Sequence, residues 1–111
     1  DGCVEAASIL GFQIALSGLH LQKYQLDEEG QISPLDETRP LHFFAIKSMG
    51  FAILNGKLIF DPTHDEEEIV DGCCTMIITD EENPKLMKIM TSGTFLINDE
   101  LISEMIRACQ I

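Results

Sequence analysis

The chain has 111 residues, enough for one small domain around a single core, and residues 1–111 are read as that domain. Hydrophobic residues are 45% and charged residues 23%, a balance that excludes a disordered or low-complexity segment. Seven Lys and Arg face nineteen Asp and Glu for a net charge of −12 with no basic cluster, which excludes a domain that grips nucleic acid alone and suits a basic partner.

The first predicted element is a helix. Asp1 is placed to cap it, and Val4, Ala7, Leu10 and Ile14 form one stripe with Ala6, Ile9 and Leu16 beside it. Glu5, Ser8, Gln13 and Ser17 interrupt the run from Val4 to Leu21, so a buried helix is expected rather than a membrane span, and no membrane partner is expected. The near absence of charge predicts burial over most of its surface. Gly11 and Gly18 share a face and predict a close approach of the helix backbone to a sheet. His20 falls at the helix end, where a surface or capping role is expected rather than catalysis. Gln25 to Pro40 reads as a polar loop. Its Gly30 and Ile32 are spaced as in a calcium-binding loop, but Gln25 stands where that loop needs its first carboxylate and Asp36 where it needs a bidentate glutamate, so calcium is not expected.

Strands follow. Leu41 to Ile46 is apolar with little period. Phe51 to Leu54, then Asn55-Gly56, then Lys57 to Phe60 reads as a hairpin with a type I′ turn. Cys73 to Thr79 is a third strand and Lys85 to Met90 a fourth, with a turn at Asp80 to Pro84 and a loop at Thr91 to Thr94. Asn98 caps a last helix from Asp99 to Gln110, whose stripe is Leu101, Ile102, Met105, Ile106 and Cys109. Helix, four strands, helix argues an α+β fold: a mostly antiparallel four-stranded sheet with two helices on one face. The start at Asp1-Gly2 and the stop at Ile111 inside an apolar pattern suggest a piece of a longer chain.

Phe60 to Gly72 joins two strands and crowds Asp65, Glu66, Glu67, Glu68 and Asp71 together. Such a run is either a solvated face or a site that meets a cation. Cys3, Cys73, Cys74 and Cys109 include no C-x-x-C pair and lie among apolar residues, so reduced core thiols of an intracellular protein are expected, with Cys73 and Cys74 on opposite faces of their strand. No serine has a histidine at a telling spacing. His42 reads as a structural hydrogen-bonding residue and His64 as an exposed loop residue.

The Asp-Gly start on a small-residue helix, the hairpin ending Leu58-Ile59-Phe60-Asp61-Pro62, the acidic run and the Thr-Ile strand occur here in one order. Together they resemble the second half of an RNase PH-type domain, above all that of the catalytically silent ring subunits of the RNA exosome. The resemblance covers nearly the whole chain and implies that it is the C-terminal half of an RNase PH-like subunit.

Active members of that family use phosphate to cleave RNA from its 3′ end. This chemistry needs a cationic cradle for phosphate and carboxylates near the scissile bond. The family supplies the cradle with a Gly-Thr-Arg or Gly-Ser-Arg run, and Cys3-Val4-Glu5 stands in its place, so a glutamate replaces the arginine. Of the family's two aspartates, the first falls at Glu67 and the second at Cys73, which is not a carboxylate. The resemblance therefore implies no catalytic residue and no cofactor. It implies a structural subunit that pairs with other RNase PH-like subunits, carries cap subunits, and shapes a ring channel through which RNA threads. It also implies residence in the nucleus, nucleolus and cytoplasm. The competing reading is a metal-dependent ribonuclease, or a phosphorolytic exoribonuclease, using the acidic cluster. In it Asp61, Asp65, Glu66, Glu67 and Asp71 hold Mg²⁺ or Mn²⁺ through oxygen ligands.

Overall fold

The computed structural model describes residues 2–110. The element order is α1 (Val4–Ser17), β1 (His20–Leu26), β2 (Ile32–Pro40), β3 (Ile46–Leu54), β4 (Lys57–Phe60), α2 (His64–Glu67), β5 (Gly72–Thr79), β6 (Leu86–Gly93) and α3 (Asp99–Cys109). The body is a four-stranded antiparallel sheet in the order β4-β3-β5-β6, so the expected α+β class holds. Among the described residues no helix is long and apolar enough to cross a membrane.

The sheet is organised around β3 and β5. Met49 pairs with Met76 and Phe51 with Cys74, so these side chains share one face. Phe51, Cys74, Met76 and Ile78 pack there with Met105 and Cys109 of α3 in one buried cluster. Phe60 on β4 meets the Phe51 ring edge-on at 5.7 Å between centroids. The Asn55-Gly56 turn has the two positive φ values, 51° and 74°, that a type I′ hairpin needs. Asn98 accepts a hydrogen bond from the Leu101 amide at 2.8 Å and starts α3 where expected.

The two long helices lie on opposite faces, not on one. Gly50 pairs with Thr75 and Ser48 with Ile77, and these residues point away from the α3 side. On that second face Ser48 Oγ donates to the Ala6 carbonyl of α1 at 2.8 Å, and Gln13 Oε1 accepts from the Ile46 amide at 2.7 Å. The strand alternation makes the reason plain: β3 and β5 carry Met49, Phe51, Met76 and Ile78 on one face and Ser48, Gly50 and Thr75 on the other. Each face recruits its own helix.

Other expectations are corrected as well. The polar loop is in part a two-stranded ribbon, β1 with β2, which Leu26↔Ile32 and His20↔Pro40 bracket. Its turn is closed by Asp27, whose Oδ1 accepts from the Glu29 and Gln31 amides at 3.0 and 2.7 Å. Residues 41–45 form no strand, whereas β6 runs on through Thr91 to Gly93 by pairing with β5. Gly11 meets nothing within 4 Å. The close approach is made instead at Gly50, where a Cβ would overlap Cys3 Sγ and Cβ. Finally, α1 is not buried over most of its surface: Val4, Phe12 and Ile14 are 69%, 67% and 64% exposed. Only one face of the helix meets the sheet, and the rest of its apolar surface is left open. The Asp1 cap lies outside the described residues; the N-cap position of α1 is Cys3, in a left-handed conformation and with no side-chain cap.

Candidate functional site

The five positions picked out at the start of α1 and around the acidic run come together. Val4, Glu5, Glu67, Cys73 and Ser92 line one cleft of about 430 Å³. Cys3 sits just behind it, buried under Gly50. The sheet register explains the meeting: Cys73 opens β5 on the α1 face and pairs with Ser92 of β6. Two residues along the same face, Thr75 Oγ1 donates to Glu5 Oε2 at 3.1 Å. Glu67 reaches back from the end of α2, and its Oε1 accepts from the Cys3 amide at 2.7 Å. A carboxylate at that point satisfies a donor at the N-terminus of α1 and faces its positive end.

The acidic run is therefore not a plain loop. Thr63 and Glu66 form a reciprocal capping box: Thr63 N donates to Glu66 Oε2 at 2.8 Å and Glu66 N to Thr63 Oγ1 at 3.3 Å. That single turn fixes the spacing that aims Glu67 at Cys3. Asp71 turns elsewhere and accepts from the Asn55 amide at 2.8 Å, tying the run to the β3–β4 turn. His64 lies 3.6 Å from Glu68 on the outer surface, and His42 is exposed ahead of β3. The His20 ring nitrogen lies 3.2 Å from the Gly18 carbonyl, so the capping contact forms although His20 belongs to β1.

The proposed metal ligands do not converge. Glu66 is taken by Thr63, Glu67 by Cys3 and Asp71 by Asn55, in three directions. Among the described residues no group of three or more His, Cys, Asp and Glu side chains is placed to hold a metal ion.

What the cleft does offer is two carboxylates, a thiol and a hydroxyl. Burial pushes the Cys73 thiol up, and the negative charges of Glu67 and Glu5 push it further. Such a thiol stays protonated at neutral pH and is a poor nucleophile. Lys88 lines the adjoining groove beside Val4 and Glu5. Ser92 and Thr75 were not singled out from the sequence. Their signal was the strand register, since Thr75 lies two residues beyond Cys73 on the same face.

All four cysteines are free thiols, with Cys3, Cys74 and Cys109 buried. Cys73 and Cys74 point to opposite faces of β5, as the alternation requires. Burial, reinforced by Glu67, pushes the Cys3 thiol up to about 11, and burial does the same at Cys74.

Residues 48–109, more than half of the chain, match the 3′ exoribonuclease family, domain 2. Over 103 residues the chain is 34% identical to exosome complex component Rrp42 of Thermococcus onnurineus, covering 89% of this chain and 37% of that protein. Over 83 residues it is 39% identical to exosome complex component Rrp42 of Pyrococcus furiosus, covering 73% of this chain and 30% of that protein. The chain thus spans about a third of the length of these curated relatives. It belongs to the 3′ exoribonuclease family as an RNase PH-type C-terminal domain.

Proposed function

We propose that this member of the 3′ exoribonuclease family is a non-catalytic structural part of an RNA exosome ring. It supports 3′-to-5′ RNA degradation and processing by pairing with a catalytic-type RNase PH-like subunit and by shaping the channel through which RNA passes. In this reading residues 1–111 are the C-terminal half of the subunit, cap subunits sit on the ring, and the protein works in the nucleus, nucleolus and cytoplasm. The naming of two relatives as exosome components supports the assembly.

The observation that carries the silent role is the sign of the cleft. Phosphorolysis needs cationic donors around an incoming phosphate. Here Glu5 occupies the place of the family's arginine and shares the cleft with Glu67. Carboxylates lining the cleft repel a phosphate, and Cys73 supplies a protonated thiol where the second aspartate would act.

The test is size-exclusion chromatography with light scattering on the full-length protein, mixed with a catalytic-type RNase PH-like partner from the same source. A heterodimer or six-membered ring is expected, with phosphate-dependent decay of RNA that is abolished by disabling the partner's site alone. Two proteins that elute separately would overturn the assembly. Decay that survives loss of the partner's site would overturn the silent role.

A further inference from the structure

We propose that the β1–β2 ribbon is a docking arm for a protein partner whose surface is apolar and rimmed with basic residues. The ribbon stands out from the body. Each strand of the ribbon makes its extensive contacts with the other, and the molecule measures 66 Å along its long axis against 29 and 23 Å across. A two-stranded ribbon alone is marginally stable in water, so an arm of this kind gains from being covered.

One face of the arm is suited to that. The register pairs Tyr24 with Pro34 and Leu26 with Ile32, so these four side chains share a face near the tip. Tyr24, Leu26 and Ile32 are 62%, 70% and 71% exposed. The β2 edge of the ribbon is not suited. Pro34 and Pro40 lack the amide a new strand would need, and the register breaks between Gln22 and Tyr24. The exposed apolar side chains make the face, rather than the β2 edge, the binding surface of the arm.

Charge selects the partner. Asp27, Glu28 and Glu29 form the tip, and Asp36 follows Pro34 on the same face. On the opposite face Lys23 is already paired with Glu37 at 3.0 Å. An acidic rim around an apolar centre repels nucleic acid and anionic lipid and attracts basic side chains. A second copy of this chain does not fit, because it has a net charge of −12 and no basic cluster to meet the rim.

The inference does not depend on the ring being the partner. The full-length protein is produced in its source cells with a photo-crosslinking amino acid at Tyr24, the complex is isolated after irradiation, and the crosslinked peptide is identified. A peptide from another protein, apolar and flanked by Lys or Arg, is expected. The L26D/I32D variant should weaken that complex by about tenfold or more, and E28K/E29K, which spares the turn-closing Asp27, should weaken it with a reduced salt dependence. Both variants should melt with the parent, because these side chains lie outside the core. A crosslink to nucleic acid, to a second copy, to the protein's own body or to nothing overturns the proposal. So does a crosslinked peptide without basic residues. A ring that assembles normally with the L26D/I32D variant and yields no Tyr24 crosslink sinks the arm while leaving the ring reading intact.

Discussion

Cys3 and Cys74 are the residues whose chemistry departs furthest from that of an unfolded chain. Their thiols rise from an ordinary 9.0 to about 11 inside the fold. Between these values the native state holds protons that the unfolded state has released. The stability they contribute is therefore complete below pH 9 and is lost as pH rises through 11. Two pKa units correspond to roughly 3 kcal/mol for each thiol at the upper limit. In a reducing buffer the urea midpoint should hold steady up to about pH 9 and fall steeply beyond it. A midpoint that stays flat to pH 11 would contradict the burial of these groups. Below pH 9 a thiol reagent should label Cys73, the half-buried one, ahead of the other three.

The elements show where a sequence speaks and where it does not. The Asn55-Gly56 turn and the stripe of α3 were legible because each is a local signal: two positive φ positions, and a period of 3.6 residues. The cleft was legible in Cys3, Val4, Glu5, Glu67 and Cys73 only through the order of motifs along the chain. Nothing in spacing alone brings residue 5 beside residue 67. The β1–β2 ribbon was missed because prolines, acids and a glycine read as loop, and its ladder carries no core-facing alternation. The side of the sheet taken by α1 was missed for a different reason. It depends on Gly50, a strand residue far from the helix in sequence but in contact with Cys3 at its start, and not on Gly11 within it or Gly18 at its end.

Gly50 gives this a quantitative form. A methyl group there would overlap the Cys3 side chain, which is held against the Pro62 carbonyl and under the strand. The helix start cannot shift cheaply, because Glu67 binds its first amide. Gly50→Ala should therefore cost about 2 kcal/mol or more as an overpacked site, with the α3 side of the sheet unaffected. Hydrogen exchange would show this as faster exchange in α1 with protection retained in α3. Uniform loss in both helices, or no loss in either, would contradict the separate packing of the two faces.

At the scale of the whole molecule, the two faces of the sheet are unequally finished. The α3 face is closed by a continuous buried cluster. On the other face α1 rests on the sheet but turns Val4, Leu10, Phe12 and Ile14 outward. A helix that is apolar all round is a helix meant to be covered on more than one side, and covering a side chain such as Phe12 contributes about 2 kcal/mol. The outer face of α1 should accordingly be shielded in the working protein. Hydroxyl-radical footprinting of the full-length protein, alone and mixed with the proposed catalytic-type partner, measures this directly. Phe12 should be protected in the assembly. Protection already present in the free protein places the cover within the same chain, and protection gained only on mixing places it at a subunit contact. Reactivity at Phe12 as high in the assembly as in a short unfolded peptide would mean that the open face of α1 is a solvent face, and the argument from unfinished packing to assembly would fail.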